Sequence, residues 1–183
     1  MDLRKWKLLG FGAAMIAIGC ITVSAQTLTT LHSFSGSDGQ FPEATLLQGS
    51  DGNFYGTTAL GGAHSKGTVF KIDATGTLTT LHSFSGSPND GGNPIAGVVQ
   101  STGGNFYGTT ALGGAHSKGT LFAMDVTGNL TTLHSFSGSP AEGALPFAGL
   151  VQGSDGNFYG ATASGGAHGK GTVFKFSSSS SNN

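Results

Sequence analysis

Charged side chains make up only 9% of the 183 residues. Counted from Gln26 onward, five lysines (Lys66, Lys71, Lys118, Lys170 and Lys175) face eight carboxylates, a formal charge of minus three. Duplex binding needs a basic stripe, and single-strand binding needs basic residues interleaved with aromatics, so this scatter excludes nucleic acid as a partner. Cysteine is scarcer still. Cys20 is the only one, so the chain from Gln26 onward has no disulfide and must draw its stability from sheet packing and the stacking of repeats. The one tryptophan, Trp6, also lies in the first 25 residues. Nowhere do apolar residues recur with the 3.6-residue period of an amphipathic helix. What abounds is glycine, 33 residues of it, a composition for turns and short strands.

The leader differs in kind from the rest. Arg4, Lys5 and Lys7 precede an uncharged apolar run from Leu8 to Val23, and Val23-Ser24-Ala25 fits a small-x-small cleavage site. Residues 1–25 therefore read as an export signal, with the mature chain starting at Gln26 and lodged outside the cell, at its surface or in the periplasm. A retained anchor is the alternative. Ala17-Ile18-Gly19 before Cys20 weakly resembles a lipobox, which would lipidate that cysteine, although Ala17 stands where a larger aliphatic residue is usual. The membrane is a partner only in those two cases.

The remainder repeats itself. TTLHSFSGS occurs at 29–37, 79–87 and 131–139, and NFYGTTALGGAHSKGT at 53–68 and 105–120, with the variant NFYGATASGGAHGKGT at 157–172. Pro42, Pro94 and Pro146 keep the period of 52 residues, a length that suits propellers and other stacked repeats. Within one unit, Ala44 to Gln48, the turn Gly49-Ser50-Asp51-Gly52 and Asn53 to Thr58 predict one hairpin. Thr68 to Asp73, the turn Ala74-Thr75-Gly76 and Leu78 to Phe84 predict a second. Apolar residues fall on both faces of these strands (Phe54 against Tyr55, Val69 against Phe70), so both faces are expected to be buried, as between neighbouring propeller blades.

YGTT, GG, GTVFK and LHSFSG together resemble the GloVer tandem repeat of exported bacterial choice-of-anchor proteins, over Leu28 to Phe176. The resemblance implies a propeller-like β repeat on an exported, surface-associated protein and brings no assigned reaction. The expected fold is all-β: a propeller-like array of three four-stranded repeats, at about 42–93, 94–145 and 146–176 plus 28–34, with a Ser-rich disordered tail at 177–183. Leu28 to Phe34 is a fourth strand without its first three. Thr172 to Phe176 is a third strand without its fourth. Pairing these complementary ends would remove two open edges. Three blades are too few for one ring, so a homodimer exchanging end strands into six blades is the leading expectation, against a strained three-bladed monomer, a trimer or an open array completed by another protein.

Loop 59–67 should share a face with crossing 35–41 and display His64 with Lys66, repeated as His116 with Lys118 and His168 with Lys170. These six are the candidate ligand-binding residues, suited to a glycan or an anionic group. Three symmetric histidines would also suit a metal, yet copying of the repeat alone explains their recurrence, and no metal or other cofactor is expected. His32, His82 and His134 read as half-buried strand residues beside Phe34, Phe84 and Phe136. Tyr55, Tyr107 and Tyr159 read as strand residues whose hydroxyls reach a neighbouring blade. Asp51-Gly52-Asn53 is a hairpin turn rather than a calcium loop, and GGAHSKGT lacks the Gly-Lys-Thr order and the helix of a phosphate loop. Glu43 and Glu142 find no counterpart beside Pro94 and Ile95, which leaves paired-carboxylate hydrolysis without support. The expectation is an exported, non-catalytic binding or structural module, partnered by a glycan or a surface protein. A polysaccharide-active propeller enzyme is the alternative.

Overall fold

Glycine and aspartate turns break the β-branched and aromatic runs into short strands, and these assemble into separate antiparallel sheets. The computed structural model describes residues 26–177; the expected signal at 1–25, Cys20 and the tail from 178 lie outside them. In the first sheet β1 (Leu47–Gln48), β2 (Phe54–Thr58), β3 (Thr68–Ile72) and β4 (Leu78–Ser83) lie in chain order. β5 (Gly91–Gly92) leads to the second sheet of β6 (Val99–Gln100), β7 (Phe106–Thr110), β9 (Thr120–Met124) and β10 (Leu130–Ser135), and pairs with β8 (Leu112–Gly113). β11 (Gly143–Ala144) likewise pairs with β14 (Ser164–Gly165) beside the third sheet. That sheet has three strands among the described residues: β12 (Val151–Gln152), β13 (Phe158–Thr162) and β15 (Thr172–Phe176).

The hairpins are closed by side chains. Asp51 accepts from the Asn53 N–H at 3.1 Å and the Asn53 amide at 2.6 Å. Asp73 accepts from the Thr75 N–H, the Thr75 hydroxyl and the Thr77 N–H at 2.8, 2.6 and 3.0 Å. Each carboxylate gathers the backbone and side-chain donors of its own turn, as Asx turns require. The Thr75 hydroxyl and the backbone donors hold the Asp73 carboxyl down at about 2.

The core lies between sheets. Tyr55, Val69, Phe84, Val98, Phe106, Phe122 and Met124 fill the space between the first and second. Leu121, Phe136 and Leu150 fill that between the second and third, with Tyr107 and Phe174 against them. The two faces of β9 are thus both used: Leu121 points to one cluster and Phe122 to the other. Each sheet grips the next in two places. The β2 tyrosine lies against the following β2-equivalent phenylalanine, tilted for Tyr55 on Phe106 and stacked for Tyr107 on Phe158, both at 4.2 Å. The phenylalanine after the last strand meets the next third strand edge-on (Phe84 on Phe122 at 5.4 Å) or tilted (Phe136 on Phe174 at 5.3 Å).

Two expectations need correction. The first strand of each unit is two residues long rather than the five of Ala44 to Gln48. Its upstream carbonyls serve the neighbouring sheet instead: the Ala96 oxygen accepts from the Thr57 hydroxyl at 3.0 Å and the Ala148 oxygen from Thr109 at 3.3 Å. The tyrosine ring, not its hydroxyl, spans the sheets, because the Tyr55 hydroxyl donates to Asp51 in its own hairpin turn at 2.9 Å. Burial first, then that carboxylate, pushes the hydroxyl up to about 12. Leu28 to Phe34 forms no strand ladder with Thr172 to Phe176 within the chain, which leaves exchange of the end strands between chains open. Segment 28–34 lies on the first sheet, with Phe34 5.2 Å from Phe70.

Candidate functional site

One face of the array is made by the long loops. Loop 59–67 is bound to crossing 35–41 by Gln40 N–H to Leu60 O (2.8 Å), Leu60 N–H to Gln40 O (3.0 Å) and Gly62 N–H to Gly36 O (2.9 Å). Ala59 N–H to Phe41 O (2.9 Å) adds a fourth bond, and it recurs in the later units as Ala111 N–H to Asn93 O and Ala163 N–H to Leu145 O, both 3.0 Å. The loops need left-handed backbone. Ser65 and Ser117 have φ of 55° and 54°, and the third copy places Gly169 (φ 65°) at that position, where the missing Cβ removes the strain.

Between the first and second sheets this face opens into a groove of about 520 Å³. Ser65 and Lys66 come from the loop of the first unit, Ser87 and Asn93 from the next crossing, and Ser117 from the loop of the second unit. Asn93 fixes the floor by donating its N–H to Lys66 O at 2.7 Å and its side-chain amide to Ala59 O at 3.0 Å. Ser87 and Ser117 hydroxyls meet at 2.7 Å. The Lys66 stem runs over Gly86 and Gly92; a methyl on either glycine would touch it at 3.6–3.7 Å. Among the described residues no carboxylate lies within salt-bridge distance of Lys66. A snorkelled cation, paired hydroxyls and an amide-bearing floor suit a hydroxylated or anionic small ligand.

Of the six expected site residues, Lys66 alone lines this groove. Lys118 repeats the stem packing over Gly138 at 3.7 Å. Lys170, His64, His116 and His168 are exposed. Among the described residues no three histidine, cysteine or carboxylate side chains come together where they would hold a metal.

The second histidine set is a different arrangement. His32 meets Asp38 at 2.7 Å, His82 meets Asp90 at 3.1 Å, and His134 meets Glu142. Each ring also stands edge-on to the phenylalanine two residues later, at 4.9, 4.8 and 5.1 Å. The acid takes the Ser N–H that opens the crossing: Ser35 to Asp38 and Ser85 to Asp90 at 2.8 Å, Ser137 to Glu142 at 3.0 Å. The Ser35 N–H, helped by His32, holds the Asp38 carboxyl at about 2. Burial works against ionisation of Asp90 and Glu142, yet hydrogen bonds from His82 and from Ser137 outweigh it and keep both below the ordinary range. The sequence reading missed this set and gave Glu142 no partner in the middle copy. One period back from Glu142 stands Asp90, and the His-to-acid spacing of eight residues in both copies was the available signal.

No curated protein matches this chain. A solved X-ray structure provisionally described as a gluconolactonase is similar at 13% identity and a TM-score of 0.43, covering 72% of this chain and 47% of its own; the chain thus spans less than half of that protein's length. The sequence profile of the Gloeobacter/Verrucomicrobia repeat matches residues 17–183, and the chain belongs to that repeat family.

Proposed function

We propose that this chain is an exported, non-catalytic repeat module whose three sheets act as propeller-like blades and whose inter-blade groove binds a hydroxylated or anionic glycan. The observation that carries the reading is the groove at Lys66, in which a cation with no counter-charge among the described residues stands beside serine hydroxyls. The carboxylates support a binding role, since Asp38, Asp90 and Glu142 lock histidines to crossings while Asp51, Asp73 and Asp125 close turns. Each is occupied in holding the backbone. Export rests on the basic, apolar and small-residue segments of the leader.

The test is a glycan array probed with the chain from Gln26, alongside Lys66→Gln. Binding of acidic or neutral oligosaccharides that Lys66→Gln weakens at least tenfold, at an unchanged melting temperature, is the expected result. Absence of binding across the array would refute the ligand class. Release of reducing ends from the bound polysaccharide would replace the module with an enzyme.

A further inference from the structure

The two ends of the array carry the two halves of the contact that joins its sheets, and we infer that a second copy of this chain docks there head to tail. Residues 28–34 and 78–84 have the same sequence, LTTLHSF. Against the first sheet, residues 28–34 sit as β4 sits against the second: a methyl at Gly76 would strike the Leu31 carbonyl, as one at Gly128 would strike that of Leu81. Phe34 on Phe70 repeats Phe84 on Phe122. This segment is therefore already held as the last strand of a preceding sheet.

At the other end, β15 offers the edge such a strand would pair with. β4 lies on β3 with Thr68 opposite Ser83, Val69 opposite His82 and Lys71 opposite Thr79. The same register sets Thr172 opposite Ser33, Val173 opposite His32 and Lys175 opposite Thr29 of the second copy. A cavity of about 340 Å³ lies along this edge, lined by Phe136, Glu142 and Thr172 to Phe176. Exposure follows the vacancy in the repeat. Val173 is 83% exposed where its equivalents Val69 and Leu121 are 0% and 1%. On the opposite face Leu46 is 52% exposed where Val98 and Leu150 are both 8%. Docking would bury both ends, seat the half-buried Tyr159 on the half-buried Phe54, and bring the Phe41 N–H to Lys170 O, as Asn93 and Leu145 reach Lys66 and Lys118.

Such a contact is heterologous, so it closes a ring or grows without limit. Propellers typically carry four to eight blades, and six is the multiple of three in that range. The blade count therefore points to two copies per ring. One cross-sheet bond is missing at this junction: Thr57 and Thr109 donate to the next unit, but the third copy has Ala161 there.

Light scattering on the chain from Gln26 should give twice the chain mass across a concentration series. A single-chain mass, or any larger or open-ended species, would overturn the inference. Val173→Lys should yield a single-chain mass with the β-sheet spectrum retained, because Val173 is exposed in the lone chain; a retained dimer would overturn it. Since residues from Gln26 onward contain no cysteine, a mixture of Thr29→Cys chains and Lys175→Cys chains should oxidise to a covalent heterodimer, and failure to crosslink would count against the register. Ala161→Thr should tighten the dimer about two- to tenfold by adding the missing hydrogen bond. These readouts are of mass and so fail independently of glycan binding.

Discussion

Removing the ring of Phe84 tests whether the sheets are held together by the repeated aromatic grip. Phe84 is fully buried in the cluster between the first and second sheets, with Phe122 5.4 Å away and His82 4.8 Å away, both edge-on. Truncating a buried phenylalanine to alanine costs about 3–5 kcal/mol, the sum of lost transfer energy and the cavity left behind. Domains of this size hold about 5–15 kcal/mol in total, so Phe84→Ala should remove a large fraction. At roughly 2–4 °C per kcal/mol, the melting temperature should fall by about 6–20 °C. Urea unfolding followed by circular dichroism gives the free energy, and a double-mutant cycle with Phe122→Ala isolates the ring pair. The coupling should be about 0.5–1.5 kcal/mol beyond area burial. A cost below about 1 kcal/mol for Phe84→Ala, or additive single and double variants, would refute the claim that this pair joins the sheets.

Three further outcomes follow from the same geometry. Phe41 precedes Pro42 with φ 60° and is half exposed, whereas the next unit places Asn93 (φ 58°) at that position. Phe41→Asn should therefore raise the unfolding free energy measured in urea by about 0.5–1 kcal/mol, since asparagine tolerates left-handed backbone; a lowered value would show that the ring contributes more than the strain. Gly91 lies against the buried threonine pair, and an added methyl would meet Thr110 Oγ1 at 2.5 Å and Thr120 Oγ1 at 2.8 Å. Gly91→Ala should cost about 1–3 kcal/mol, while Gly103→Ala, whose methyl would meet only Ser101 Oγ at an ordinary 3.7 Å, should stay within about 0.5 kcal/mol. Asp38 and Asp73 are each held at about 2 in the folded chain against an ordinary 3.8. Depressed carboxylates stabilise above their unfolded pKa and lose that contribution as pH falls through the folded one, so the melting temperature should hold above pH 4 and drop between about pH 4 and 2. A flat profile over that window would contradict the turn hydrogen bonds.

The all-β character and the hairpins were legible because turn chemistry is local. Asp51-Gly52-Asn53 and Asp73-Ala74-Thr75-Gly76 contain donor, acceptor and left-handed glycine within a few residues, so the sequence alone predicts the turn and the strands around it. Burial of both strand faces was legible too, from Val69 beside Phe70. The extent of the first strand was not. Ala44 to Gln48 has strand-forming residues, but in the equivalent later segments the carbonyls of Ala96 and Ala148 are claimed by threonines 39 residues upstream, and nothing local announces that competition.

The candidate site divides along the same line. Loop 59–67 could be placed on the face of the crossings because a meander allows little else, and Lys66 follows with it into the groove. His64, two residues earlier, does not, since the left-handed turn at Ser65 sets the two side chains apart. The histidine–carboxylate locks show what periodicity offers once the offset is applied consistently. Asp90 and Glu142 differ in chemistry and sit in crossings whose sequences otherwise diverge, SPND against SPAE, so they look unrelated when the eye follows identity. They share a position because each must accept the N–H of the serine that opens the crossing and reach the histidine in the strand before it. Glutamate does this with one more methylene. The first unit does it with Asp38 across a crossing two residues shorter, so the carboxylate is set by its two donors and not by its distance along the chain.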